Sequence, residues 1–158
     1  FYSANPMVPS KALWSIIAEK KYSKFLAAWF NSTPFFVQLL QERTETEGTW
    51  CELTKQAIMR MFVPGEDVWK DNKRWFDRQL DGIYDHEWPS LIQQFSEGYS
   101  MRERLDTAFL HSMGFQPSQI HQMLIELYKV IGREMVVMKA AMGGRIKKGS
   151  SQESLLKL

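Results

Sequence analysis

Apolar side chains recur at intervals of three and four residues in almost every segment of this chain, and alternation at every second residue is nearly absent. Because an α-helix turns once every 3.6 residues, this spacing places the apolar side chains on one face of a helix. The longest such stripe contains Ile120, Leu124, Leu127, Tyr128, Ile131, Met135, Met138 and Met142. The pattern predicts an all-α fold with a long C-terminal helix.

Capping residues, prolines and glycines divide the chain into about seven predicted helices. Serine or threonine followed three residues later by glutamate forms a capping box, as at 49–52 and 100–103, and proline is favoured in the first helical turn. The predicted helices begin near Ser10, Thr33, Thr49, Asp67, Pro89, Ser100 and Pro117. The run from Asp67 is predicted to continue to Tyr84, and glycines at 98, 114 and 143–144 are predicted to end the last three helices.

A length of 158 residues suits a single domain. Ten phenylalanines, six tryptophans and five tyrosines exclude a disordered chain, because such side chains would collapse out of water. We therefore expect a compact multi-helix bundle over 1–144, followed by a flexible basic tail over 145–158. The expected core residues are Leu13, Trp29, Leu53, Ile58, Trp75, Leu80, Phe109, Leu124 and Leu127.

Charge is distributed unevenly along the chain. The first 128 residues carry 13 basic and 16 acidic side chains, whereas the last 30 carry 7 basic and 2 acidic ones. A basic segment of this kind favours contact with an anionic partner. One interpretation is therefore a nucleic-acid-binding or packaging protein, in which Arg145, Lys147 and Lys148 contact phosphates regardless of base sequence.

No pattern in the sequence predicts an enzyme. Cys51 is placed in the first turn of a predicted helix, where the helix dipole lowers a thiol pKa, but no accompanying base is evident. The three histidines lie in different segments, and Asp85-His86-Glu87 is interpreted as a polar turn. We expect no catalytic residue, no metal and no cofactor. A helical sensor or an unrecognised enzyme with an aromatic-lined pocket is kept as a further alternative.

The C-terminal helix is the predicted partner-binding surface. Methionine adapts its shape and is common on surfaces that accept several partners, and Met135, Met138 and Met142 share one stripe. Arg133 and Lys139 lie on or beside its polar side. This composition favours an interaction or assembly module that binds a protein partner or a second copy of itself, with an anionic membrane surface as another alternative.

Two features bear on the compartment. The single cysteine excludes an intramolecular disulfide, so we expect a reducing intracellular compartment, cytoplasmic or nuclear. No apolar run approaches the ~20 residues that cross a bilayer, and we expect no transmembrane segment.

Overall fold

The computed structural model describes residues 16, 18–45, 51–52 and 54–142, with side chains for 16, 18–43 and 54–140. Within these residues the fold is all-α, with eight helices and one pair of two-residue strands. The elements are α1 (Lys20–Phe30), α2 (Thr33–Glu42), β1 (Thr44–Glu45), β2 (Cys51–Glu52), α3 (Lys55–Arg60), α4 (Glu66–Asp71), α5 (Lys73–Gln79), α6 (Leu91–Ser96), α7 (Ser100–Ser112) and α8 (Pro117–Met142). The predicted tail, 145–158, lies outside the described residues.

The first two helices meet at a tight turn. Helix α1 begins at Lys20, and Glu19 before it, with φ of −58° and ψ of 139°, is not helical. Most of the earlier part of the predicted helix, 10–15 and 17, lies outside the described residues. Ser32 caps α2, accepting a hydrogen bond from the Phe35 amide at 3.4 Å. The prediction that Thr33 is the cap was wrong by one residue, since Thr33 lies inside the helix and binds Asp106 instead.

The capping box predicted at 49–52 was also wrong. Cys51 and Glu52 lie in β2, which pairs antiparallel with β1, so Cys51 is not in the first turn of a helix. Helix α3 begins at Lys55, three residues after β2 ends, and the Thr54 hydroxyl caps it by accepting a hydrogen bond from the Ala57 amide at 3.1 Å.

The single helix predicted over 67–84 is two short helices. Asn72 separates α4 from α5, and its side-chain amide donates to the Val68 carbonyl at 3.0 Å. An asparagine that hydrogen-bonds the preceding turn competes with continuation of the helix, which accounts for the break. Helix α5 ends at Gln79, and Gly82 then adopts a φ of 69° in the following turn.

Helices α6 and α7 follow with well-defined ends. Ser90 and Gln93 form a reciprocal capping box at the start of α6. Gly98 and Gly114, with φ of 69° and 91°, end α6 and α7 as predicted. The predicted box at Ser100 was wrong, because Ser100 lies inside α7 and Tyr99 precedes it with no side-chain cap.

The main core is an aromatic cluster between α1, α5 and α7. Phe109 is fully buried, and its ring centroid lies 5.2 to 5.4 Å from those of Phe25, Trp29 and Phe76. Of the expected core residues, Trp29, Leu80, Phe109 and Leu124 are buried, and Ile58, Trp75 and Leu127 are half-buried. Leu13 and Leu53 lie outside the described residues.

Helix α8 runs unbroken for 26 residues and packs against α6 and α7. Gly132 lies inside it, as the uninterrupted stripe predicted. The Tyr128 ring packs against Phe95 of α6 with centroids 5.5 Å apart, and Ile131 is buried. Among the described helices, none combines the length and apolar character that crossing a bilayer requires.

Candidate functional site

The predicted partner-binding residues lie on the second half of α8. Arg133 and Lys139 are exposed, and Met135 and Met138 are half-buried. The side chain of Met142 lies outside the described part of the chain. The helix places these residues close together, since 133–142 spans fewer than three turns.

The methionine side of α8 faces the end of α2. Arg43, the residue after α2, forms an ion pair with Glu134, and its Nη1 donates to the Met138 sulfur at 3.4 Å. Contacts within the same chain therefore account for part of the burial of Met138. The face available to a partner is narrower on this side than the sequence stripe alone indicates.

Away from its buried face, α8 carries apolar side chains in solvent. Val130 and Val137 are each 60% exposed on one side of the helix, and Ile125 is 41% exposed on another. Arg133 lies between the two valines, and Lys129 beside them pairs with Glu126 at 3.2 Å. These valines were not among the predicted partner-binding residues, because they lie off the dominant apolar stripe of the helix. An apolar residue that lies outside the stripe of its helix is expected to be exposed, and this feature of the sequence could have identified both valines.

The residues of the nucleic-acid interpretation, Arg145, Lys147 and Lys148, lie outside the described residues. Lys129, Arg133 and Lys139 are the exposed basic residues of α8.

A buried polar network joins α2, α7 and α8. Asp106 is completely buried, and its carboxylate accepts hydrogen bonds from the Thr33 amide at 2.6 Å, the Thr33 hydroxyl at 2.5 Å and the Tyr128 hydroxyl at 2.7 Å. The carboxylate thus lies at the N-terminus of α2, where the helix dipole favours negative charge. It fixes the start of α2 to helices more than 70 residues further along the chain.

Arg102, one turn before Asp106 on α7, is also buried. Its Nε and Nη2 donate to the Gln94 side-chain oxygen at 3.1 and 2.6 Å, and its Nη1 donates to the Asn31 carbonyl. The Gln94 amide in turn donates to the Pro89 carbonyl at 2.6 Å. Arg102 therefore connects the α1–α2 turn with the start of α6.

Aromatic rings surround the Arg102 guanidinium. Its central carbon lies 5.6 Å from the ring centroid of Phe36 and 5.3 Å from those of Trp88 and Phe95. These distances suit cation–π attraction, which strengthens when the cation is removed from water.

Burial controls the ionisation of this network. It raises the pKa of Asp106, an effect opposed by the Arg102 charge and by the Thr33 and Tyr128 hydrogen bonds. The pKa of the Tyr128 hydroxyl is raised by burial and by the adjacent Asp106 carboxylate, so Tyr128 stays a neutral donor. Burial lowers the pKa of Arg102, an effect opposed by the nearby Asp106 charge.

This buried network was not predicted from the sequence. Arg102 and Asp106 are four residues apart on a helix, a spacing typical of exposed ion pairs. Their position beside Leu105 and Phe109 on the apolar face of α7 was the signal that they are buried.

A pocket of about 230 Å³ adjoins Arg102. Its polar lining comes from Asn31, Gln94 and Arg102, and its other lining residues are mostly apolar or aromatic, including Trp88 and Leu91. A wider cleft of about 450 Å³ lies between α1, α4 and α5, where lysines and aspartates are balanced.

The other candidate chemical groups are dispersed. Within the described residues no group of three His, Cys, Asp or Glu side chains is placed to hold a metal. His86 is exposed in a turn, and the His111 ring stacks on Trp75 at 4.5 Å. The side chain of Cys51 is not described.

Comparison with known proteins gave no relative: no protein-family model, curated protein or solved structure matches this chain.

Proposed function

We propose that the protein is a non-enzymatic assembly module that binds a second copy of itself through the exposed side of α8. The observation that carries this proposal is the pair Val130 and Val137, each 60% exposed on the same side of one helix. Residues seven apart are separated by almost two complete turns, so the two side chains share one face of the helix with Arg133 between them, and together they are called the valine strip. Removing such a strip from water favours association.

A two-fold arrangement suits this strip. If two α8 helices pack antiparallel about an axis between 133 and 134, Val130 of one copy lies opposite Val137 of the other. Arg133 then lies opposite Glu134 of the second copy, whose carboxylate also pairs with Arg43 of its own chain. Self-complementarity of this kind is what a two-fold interface requires.

Of the predicted residues, Arg133 and Met138 lie closest to the valine strip. Arg133 is exposed between the valines, and Met138 is half-buried about a quarter turn around the helix, where its flexible side chain can adjust to a partner surface. Met135 and Lys139 lie on the other side of α8. Because two valines cover far less than the ~1,200 Å² of a standard interface, we expect weak self-association, with dissociation constants on the order of micromolar or above.

The test is the double substitution Val130→Glu and Val137→Glu. Both positions are exposed, so we expect the melting temperature to stay close to that of the unchanged protein. Self-association measured by light scattering across a concentration series should be lost, because each interface would gain four charges in an apolar contact.

The matched control is Gln56→Glu with Met59→Glu on α3. These residues are also exposed, and the net charge changes by the same amount. We expect this control to associate like the unchanged protein. An unchanged protein that is monomeric throughout the series would overturn self-association, and equal loss in both double variants would overturn the assignment to α8.

A further inference from the structure

We propose that the pocket beside Arg102 binds a small organic carboxylate with an apolar body. This inference does not depend on α8 or on self-association. It begins from the composition of the pocket, in which a buried cation and two amide side chains meet a lining that is otherwise mostly apolar. Apolar walls with a few convergent polar groups are typical of small-molecule sites.

The guanidinium of Arg102 retains hydrogen-bonding capacity. An arginine has five N–H groups, and Arg102 uses one on each nitrogen to reach Gln94 and Asn31. Within the described part of the chain, one N–H on each terminal nitrogen is left without an acceptor. Two such groups suit the two oxygens of a carboxylate.

The charge of Arg102 is not directly paired within the described residues. Both acceptors, the Asn31 carbonyl and the Gln94 amide oxygen, are neutral. Asp106, whose charge acts on Arg102 from the same helix, accepts its hydrogen bonds from Thr33 and Tyr128. An anion in the pocket would therefore supply a direct partner for a cation already removed from water.

The apolar lining of the pocket indicates that the part of the ligand beyond its carboxylate is apolar. Trp88 and Tyr84 offer aromatic surfaces, and Ile83, Leu91 and Leu105 offer aliphatic ones. The volume of about 230 Å³ is below the range of drug-sized ligands. A benzoate-sized monocarboxylate therefore matches the pocket in charge, polarity and size.

The experiment is a titration of the full chain with benzoate, followed by calorimetry and by amide NMR shifts. Benzamide, which has the same shape and no charge, is the control ligand. We expect benzoate to bind with a dissociation constant on the order of 0.1–1 mM and benzamide about tenfold or more weakly. Shifted amides should cluster in α6 and around 83–88. Equal affinity for the two ligands would overturn the proposal. So would the absence of binding at a benzoate concentration about ten times the upper expected dissociation constant.

Two variants separate ligand binding from folding. Arg102→Gln should abolish the preference for benzoate over benzamide, but it also removes an interior contact. Leu91→Trp leaves Arg102 intact and fills the pocket, so we expect it to abolish benzoate binding in a folded protein. Ser96→Trp, an exposed position on the same helix, is its control and should bind benzoate normally. Full benzoate binding by Leu91→Trp would place the ligand elsewhere and overturn the assignment.

Discussion

Replacing Asp106 by alanine removes the carboxylate that joins α2, α7 and α8. The change leaves the buried Thr33 amide without its acceptor, which costs about 1–3 kcal/mol. The hydroxyls of Thr33 and Tyr128 also lose an acceptor, but they can rotate toward other groups. Arg102 also loses the favourable influence of the nearby Asp106 charge, although the two side chains do not pair directly.

Because these contributions overlap, we expect Asp106→Ala to lower the free energy of unfolding by at least about 1.5–3 kcal/mol, the value of one hydrogen bond to a charged group. Since small domains are stable by about 5–15 kcal/mol, this loss would be readily visible in urea denaturation followed by circular dichroism. Tyr128→Phe removes one hydrogen bond to a charged group and should cost about 1.5–3 kcal/mol.

Glu103→Ala is the control for this prediction. Glu103 is exposed on the same helix, and its loss should change the free energy of unfolding by less than about 0.5 kcal/mol. A loss below about 1 kcal/mol for Asp106→Ala would refute the view that this network holds the three helices together. So would an effect no larger than that of Glu103→Ala.

Two further predictions concern the same region. Because burial raises the pKa of Asp106 above its ordinary value of 3.8, the native chain holds this proton more tightly than the unfolded chain. The contribution of Asp106 to stability should therefore fall as pH rises from about 3.8 through the raised pKa and then level off, and urea titrations of Asp106→Asn should lack this fall. Gly132→Ala should raise the free energy of unfolding by about 0.5–1 kcal/mol, since the added Cβ would lie 3.6 Å from the Phe95 Cβ, an ordinary contact. Destabilisation of Gly132→Ala in the same denaturation assay would mean that α6 and α8 pack more tightly than this distance indicates.

Local chemistry made much of the fold predictable. Glycines 98 and 114 were identified as helix ends because only glycine adopts positive φ without strain, and both do so. The stripe from Ile120 correctly predicted a helix that continues through Gly132. The break at Asn72 was missed because the apolar spacing continues across it. The helix is interrupted there by a local interaction, the hydrogen bond from the Asn72 side chain to the preceding turn.

The candidate sites were less predictable because burial depends on which elements meet in space. Arg102 and Asp106 form a pattern typical of a solvated helix face, and only their packing against α2 and α6 removes them from water. Met138 was assigned to a partner surface from composition, but its contact with Arg43 joins residues 95 positions apart. No periodicity in the sequence carries that information.

Self-association through α8 is tested most directly by cysteine cross-linking in a Cys51→Ser background. In the antiparallel arrangement, Val130→Cys of one copy lies opposite Val137→Cys of another, whereas two copies of residue 130 are separated by about seven residues, or roughly 10 Å, along the helix. Since a disulfide needs Cα atoms within about 7 Å, a mixture of the two variants should cross-link under mild oxidation, and either variant alone should not. Absence of cross-linked dimer in the mixture at concentrations where the parent protein is expected to associate would contradict the proposal.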